Sequence, residues 1–192
     1  MRQRLEAVVG WRIWLLAVAA FALFLALVLP EQAATTQAIT GTSVSPDQSY
    51  WYGASELYRM AEAYGAEGRA HYIRSRFTFD VAWPLVYGSF LQATLLLASA
   101  RGPLRRVPSI MLALPTLAVV LDLLENSSAS LVMARFPEAT PVVADLAGVF
   151  TFLKWNVLGA SFALAGIAAV LGGGQRLRSW LRSRRGSAGE RA

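Results

Sequence analysis

Four long stretches of almost uncharged, apolar residues dominate this chain and limit the folds open to it. They cover residues 13–30, 81–100, 107–134 and 146–174, and only the last two contain charges, two acids and one lysine. A helix of about 20 apolar residues crosses the roughly 30 Å hydrocarbon core of a bilayer. Only 16% of the chain is charged, against about 25% in a typical soluble domain. The pattern predicts an all-α integral membrane bundle in a single domain, 1–192, with transmembrane helices at about 12–30, 79–100, 107–133 and 147–172.

The arginines are divided unevenly between the two sides of such a bundle. Twelve lie in the N-terminal segment, in the turn at residues 101–106 and in the tail at 175–192, whereas five lie in the other connections. Arginine and lysine concentrate on the cytoplasmic side of membrane proteins. We therefore expect a plasma-membrane protein with cytoplasmic N- and C-termini, and with residues 31–78 and about 135–147 outside. Because topology accounts for the basic charge, no nucleic-acid partner is expected.

The outer loop, residues 31–78, is too long to be a plain connector. Residues 31–45 are rich in Ala, Thr and Ser, and we expect them to be flexible. The sequence Ser45-Pro46-Asp47 is typical of a helix start. Beyond it, one apolar helix face is predicted from residues at helical spacing, namely Leu57, Met60, Ala61 and Tyr64. We expect one or two short helices that form a cap on the outer side, either as an interfacial anchor or as a lid over a cavity.

Helix four is predicted to end at three consecutive glycines, Gly172 to Gly174. The tail that follows contains Leu177, Trp180 and Leu181 among arginines. An apolar stripe with a basic opposite face is typical of a helix that lies on a membrane surface. The tail is therefore predicted to be a separate amphipathic helix, with membrane lipids as its partner.

The composition removes several kinds of chemistry. The chain has no cysteine and a single histidine, His71, so thiolate sites, bis-histidine haem and multi-histidine metal sites are excluded. Neither a cofactor nor a metal is predicted. His71 lies in the outer loop near Arg69, Arg74 and Arg76, which form either an anion site or a solvated helix face. The serines near the intramembrane acids, Ser127, Ser128 and Ser130, have no neighbouring histidine and are weak nucleophile candidates.

Charged residues within the predicted spans are costly and need a reason. With a rise of about 1.5 Å per residue, Asp122 and Glu125 lie about 22 and 27 Å above the inner end of helix three. Lys154 lies roughly 10 Å below the outer boundary on helix four, and Asp80 lies at the outer end of helix two. Three helices therefore place their charges in one outer layer. We expect Lys154 to pair with Asp122 or Glu125, of which Asp122 is nearer in estimated depth. If Asp122 is the partner, Asp80 and Glu125 share the remaining space.

Helical spacing places these groups on common faces. Asp80, Pro84 and Tyr87 share one face of helix two, and Pro84 cannot donate a hydrogen bond to the carbonyl of Asp80. On helix three, Asp122, Glu125 and Asn126 share a face, and Pro115 is predicted to kink the helix below them. On helix four the equivalent set is Thr151, Lys154 and Trp155.

These residues predict an outward-facing acidic pocket that binds a small amphipathic or cationic ligand. The candidate site residues are Asp80, Tyr87, Asp122, Glu125, Asn126 and Lys154. Burial and like charge both favour a protonated carboxyl, which suits proton-coupled transport or acid–base chemistry on a lipid-like substrate. The pattern does not decide whether the protein is an enzyme. One alternative is a non-catalytic membrane subunit or assembly factor whose ion pairs join its helices, and another is a small oligomeric channel. An acid-lined cavity of several hundred Å³ would favour ligand binding.

Overall fold

The computed structural model describes residues 10–101, 104 and 108–189, and the side chains of Arg101, Gly173 and residues 175–189 fall outside the description. Within those residues the chain is helical, with no strand. Short 3-10 turns occur at Pro46–Gln48 and Ser109–Ala113. We number the long helices as α1 (Trp11–Thr40), α2 (Ala54–Arg76), α3 (Phe79–Arg101), α4 (Leu114–Arg135) and α5 (Pro141–Gly189).

Four long helical segments are apolar enough to cross a membrane, as the sequence predicted. They are Trp11–Thr40, the continuous run Ala54–Ala100, Ser109–Arg135 and Pro141–Gly172. The all-α class with four long apolar helices is thus confirmed, and it is consistent with a multi-pass membrane protein. The third and fourth helical segments begin at different residues from those predicted, 107 and 147, because Pro115 and Pro141 each fit the first turn of a helix.

Helix α1 does not end at Pro30, so the prediction of a flexible segment at 31–45 was wrong for residues 31–40. Its second α-helical part runs from Leu29 to Thr40 after a π-helical turn, Phe24–Val28. In that turn the backbone N–H of Leu29 donates to the carbonyl of Phe24. A wider turn accommodates the proline, which lacks an N–H and crowds the carbonyl four residues earlier. The helix stops at Gly41, whose positive φ of 69° closes the last turn.

The connection from 41 to 53 contains only the short 3-10 turn where a helix start was predicted. The hydroxyl of Ser45 donates to the carboxylate of Asp47, and such local side-chain bonds compete with helix formation. The connection lies against α5: the indole N–H of Trp155 donates to the carbonyl of Ser49 over 3.0 Å. A Cβ at Gly148 would lie only 2.0 Å from the carbonyl oxygen of Tyr52. Glycine at 148 is therefore what allows this close approach.

Helix α2 is divided into two short helices by Gly65, which has φ 63° and ψ −176°. The predicted apolar face is buried, and it packs on a core shared with α4 and α5 whose other members include Ala129, Val132, Met133 and Ala147. After Gly65 the second half turns towards α1, where a Cβ on Gly68 would lie 3.5 Å from the Cγ2 atom of Thr40. The kink therefore directs Arg76, at the end of α2, towards the cavity described below.

A second core joins α3, α4 and α5 and includes Tyr87, Leu91, Leu95, Ala118 and Ala165. Helix α1 joins it through Phe21, whose ring stacks on Phe90 at 4.5 Å and on Trp83 at 5.7 Å between centroids. Pro115 lies in the first turn of α4, directly after the 3-10 turn. The predicted kink at Pro115 was therefore wrong, because proline suits a first turn and interrupts only a helix interior.

Helix α5 continues without a break to Gly189, so the predicted stop at Gly172 to Gly174 was wrong. A glycine in a helix costs only about 1 kcal/mol relative to alanine, which the surrounding helical residues offset. The tail is therefore an extension of α5. The predicted apolar stripe of Leu177, Trp180 and Leu181 lies outside the described side chains.

Candidate functional site

The structure brings the six predicted site residues together between α3, α4 and α5. Asp80 and Tyr87 come from α3, Asp122, Glu125 and Asn126 from α4, and Lys154 from α5. All six are buried, and Glu125 and Lys154 are 0% and 3% exposed. Because each helix contributes polar groups at helical spacing, one cluster forms in the interior of an otherwise apolar bundle.

Lys154 lies between two carboxylates. Its Nζ atom is 2.5 Å from Oε2 of Glu125 and 3.7 Å from Oδ1 of Asp122. The depth argument placed Asp122 nearest, whereas Glu125 is the closer partner. The expected ion pair is present, and it joins α5 to α4.

Asp122 is also held by two neutral side chains. The hydroxyl of Tyr87 donates to Oδ2 of Asp122 over 2.8 Å. The amide of Asn126 donates to Oδ1 of Asp122 over 3.4 Å and to the backbone carbonyl of Asp80 over 3.2 Å. In a regular helix the backbone N–H of residue 84 would donate to the carbonyl of Asp80, but Pro84 has no N–H. Asn126 thus satisfies the polar group that the proline leaves open and links α4 to α3.

Two charged residues of the site, Arg76 and Asp47, were not among the predicted residues of the acidic pocket. Nε of Arg76 lies 3.2 Å from Oδ2 of Asp80, and Nη1 lies 3.2 Å from Oδ1 of Asp47. Arg76 is only 6% exposed, and its guanidinium lies over the ring of Tyr72 at 4.5 Å. The predicted exposed helix face is therefore wrong for Arg76. The expectation that Asp80 and Glu125 share the remaining space is also wrong, because Asp80 pairs with Arg76 and Glu125 pairs with Lys154.

Asp47 is the one acid of the site in the connection between α1 and α2. Burial alone would raise the pKa of its carboxyl, but Arg76, Lys154 and the hydroxyl of Ser45 favour the charged form. The pKa of Asp47 is lowered as a result. Asp47 is therefore a carboxylate at neutral pH, and it attaches the connection to the end of α2.

The charges form two similar groups, each with one cation between two acids. Arg76 lies between Asp47 and Asp80, and Lys154 lies between Asp122 and Glu125. Four carboxyl groups thus meet two cations. Fully ionised, the cluster would have a formal charge of −2, and a low-dielectric interior opposes such an excess.

A cavity of about 420 Å³ opens beside this cluster. Asp47, Arg76, Asp80, Asp122 and Lys154 form its charged wall. Glu125 lies behind Lys154, outside the lining. The rest of the wall comes from α1, the connection at 41–53 and aromatic rings, including Leu29, Ala33, Thr36, Gln48, Trp83, Tyr87 and Trp155. Polar and apolar surfaces therefore face the same space.

The other polar candidates lie away from the cavity or are already bonded. Nε2 of His71 is 3.3 Å from the hydroxyl of Thr36 and 3.4 Å from that of Ser75. Ser127 and Ser128 donate to backbone carbonyls of their own helix. In the part of the chain that the structure describes, no three His, Asp or Glu side chains converge as a metal site.

Comparisons with known proteins leave the site to be interpreted from its geometry. No protein-family model, no curated protein and no solved structure matches this chain. The function is therefore inferred from the two charge groups and the cavity beside them.

Proposed function

We propose that this protein binds a small organic cation, or the cationic end of an amphipathic molecule, in the cavity beside Asp80 and Asp122. The observation that carries the proposal is the pairing of four carboxyl groups with only two cations around an accessible space of about 420 Å³. A bound cation would supply part of the missing positive charge. An anion would instead meet cations that are each already flanked by two acids.

The size and walls of the cavity support a small-molecule ligand. Ligand sites commonly have volumes of about 300–1,000 Å³ and combine apolar walls with a few polar groups. Trp83, Tyr87 and Trp155 contribute aromatic rings to the wall. Aromatic faces attract organic ammonium groups, by about 0.5–2 kcal/mol per contact. Carboxylates and aromatic rings together are a suitable environment for an amine or a quaternary ammonium group.

The excess of acids also supports coupling between ligand and protons. In the absence of a ligand, protons on the carboxyl groups are the simplest source of the missing positive charge. A cation that binds at Asp80 or Asp122 would take the place of a proton, which leaves to water. The proposed function is thus cation binding coupled to proton release, and the same groups suit acid–base chemistry on a lipid-like substrate.

The proposed location is the plasma membrane, with both termini in the cytoplasm. The asymmetry of arginines supports this orientation. In that orientation the connection at 41–53 and the charged wall lie near the outer surface, so the cavity opens outwards. The connection, which lies over the cavity, then acts as its lid.

Isothermal titration of the purified protein in detergent with butylammonium tests the proposal. We expect saturable binding together with release of protons, measured in a weakly buffered solution, and no binding of butyl sulfate. Asp122→Asn should weaken butylammonium binding roughly 10- to 100-fold, the value of one charge-assisted hydrogen bond. The control is Glu138→Gln, since Glu138 is an exposed acid whose side chain pairs with Arg135. Equal binding of cation and anion, or no binding of either, would refute the proposal.

The second candidate is a non-catalytic membrane subunit in which the two charge groups fix the helices. The observation that favours it is that every charged side chain of the cluster has an ionic partner, and that the pairs join the connection at 41–53, α2, α3, α4 and α5. This role predicts that Asp122→Asn lowers thermal stability, while neither the parent nor the variant binds butylammonium.

A further inference from the structure

Helices α1 and α5 also contribute to the cavity wall. From α1 come the apolar Leu29 and Ala33 and the polar Gln32, Thr36 and Gln37, and α5 contributes Trp155 and Leu158 beside Lys154. Ala33 is exposed, and Trp155 is 37% exposed, although both belong to the wall. An exposed wall residue on each of the two helices supports an opening to the outside of the bundle between α1 and α5. We call this opening the lateral gap and define it by Leu29, Ala33, Trp155 and Leu158.

Helix α1 stands at the edge of the bundle, which explains why the gap exists. None of the residues in its most apolar 18-residue window is buried. Lower on the helix, Phe21 closes the space by packing against Phe162 at 6.1 Å between ring centroids. Leu29 lies two turns above Phe21, and there α1 and α5 both contribute to the cavity wall. The ring pair of Phe21 and Phe162 therefore lies below the lateral gap.

The level of the gap matches the position of an amphiphile in a bilayer. Leu29 and Ala33 lie about 27 and 33 Å above Trp11 along α1. A hydrocarbon core is roughly 30 Å thick, so the gap lies at its outer boundary. A lipid-like amine keeps its ammonium group at this boundary and its chain in the hydrocarbon. A chain that passes through the gap would bring its ammonium group to Asp80 and Asp122.

We propose that the ligand is a single-chain aliphatic amine that enters from the lipid, with its ammonium group at the acidic wall and its hydrocarbon chain in the lateral gap. This rests on the proposed function, since it names the class of cation that the same cavity takes. The acid excess selects a cation over a phosphate-bearing lipid. The apolar side chains Leu29, Ala33 and Leu158 offer contacts to a hydrocarbon chain.

The test is photolabelling in phosphatidylcholine nanodiscs with dodecylammonium that carries a diazirine in its chain. We expect label on α1 near Ala33 and on α5 near Leu158, located by peptide mass spectrometry. An excess of butylammonium should remove most of this label, because it competes for the acidic wall. Dodecanol with the same diazirine should not produce the butylammonium-sensitive label.

Matched variants on α1 separate the gap from general contact with lipid. Ala33→Trp fills the gap and should abolish the butylammonium-sensitive label. Ala34→Trp is the control, because Ala34 is exposed on the same helix and is not part of the wall. It should leave the label unchanged.

The outcomes distinguish the two proposals. If butylammonium binds and no sensitive label appears near Ala33 or Leu158, the lateral gap is not the path and this inference is wrong, while cation binding stands. Equal labelling by dodecanol, or an equal loss in Ala34→Trp, would also overturn it. If butylammonium does not bind at all, the proposed function fails, and the inference fails with it.

Discussion

Replacing Lys154 with methionine should destabilise the protein markedly. Lys154 is 3% exposed and Glu125 is 0% exposed, so the substitution leaves a buried acid without its cation. Removing one partner of a buried pair costs about 3–5 kcal/mol. At about 2–4 °C per kcal/mol for a chain of this size, the midpoint of thermal unfolding should fall by roughly 6–20 °C.

Double variants identify the origin of this loss. Adding Glu125→Gln to Lys154→Met removes the stranded charge and should restore part of the stability, and more than adding Asp122→Asn does. The reason is the distance from Nζ of Lys154, 2.5 Å to Glu125 against 3.7 Å to Asp122. Thermal unfolding in detergent, followed by tryptophan fluorescence, measures each variant. Glu138→Gln serves as control, since an exposed pair contributes only about 0–1 kcal/mol. A Lys154→Met variant as stable as the parent would refute this reasoning.

Three further predictions concern the orientation of the chain in the membrane, the packing of the connection at 41–53 on α5, and the loss of stability in acid. Reporters fused at both chain ends should read cytoplasmic, and one inserted at Gly41 should read external; an external C-terminus would contradict the orientation. Gly148→Ala should lower the unfolding midpoint, because its Cβ would lie 2.0 Å from the carbonyl oxygen of Tyr52, whereas Gly159→Ala should not, since nothing lies within 4 Å there. The pKa of Asp47 is lowered in the folded state, so its contribution is present above the unfolded value and is lost as the pH falls through the folded one. Unfolding midpoints measured across an acid series should therefore fall less in Asp47→Asn than in the parent, and parallel curves would contradict this.

The part of the site within the apolar segments could be predicted because burying a charged side chain in hydrocarbon costs free energy. Asp122, Glu125 and Lys154 are conspicuous in apolar runs, and helical rise places them at similar depths. Their mutual positions depend only on antiparallel helices of known geometry. The predicted pairing of Lys154 with Asp122 or Glu125 is confirmed for both acids, and side-chain conformation, which depth does not determine, makes Glu125 the nearer one.

The contribution of the outer loop could not be predicted in the same way. Arg76 is one of several arginines in a polar segment, and nothing in its neighbours marks it as buried. Its position depends on the kink at Gly65, and that of Asp47 depends on the path of 41–53 over α5. Both are tertiary effects. The spacing of Arg76 and Asp80, four residues apart at the end of a predicted span, was the available signal.

The effect of proline and glycine on these helices depends on their position, which the sequence alone does not give. Pro30 is accommodated by a π-helical turn and Pro115 by a helix start. The glycines at 172–174 continue a helix because each costs only about 1 kcal/mol. These residues indicate where a helix is weak, whereas the surrounding structure decides whether it ends.

The two acids beside Lys154 differ in a way that bears on function. Glu125 is the closer acid, is fully buried and lies outside the cavity wall, so it suits a permanent counterion. Asp122 is farther from Lys154 and lies in the wall. An ion pair that joins α4 to α5 needs only Glu125. Tyr87 and Asn126 nevertheless hold the carboxylate of Asp122 in place, which is the preorganisation that a binding group requires. The second acid on the lysine therefore supports the proposed ligand site over the purely structural role.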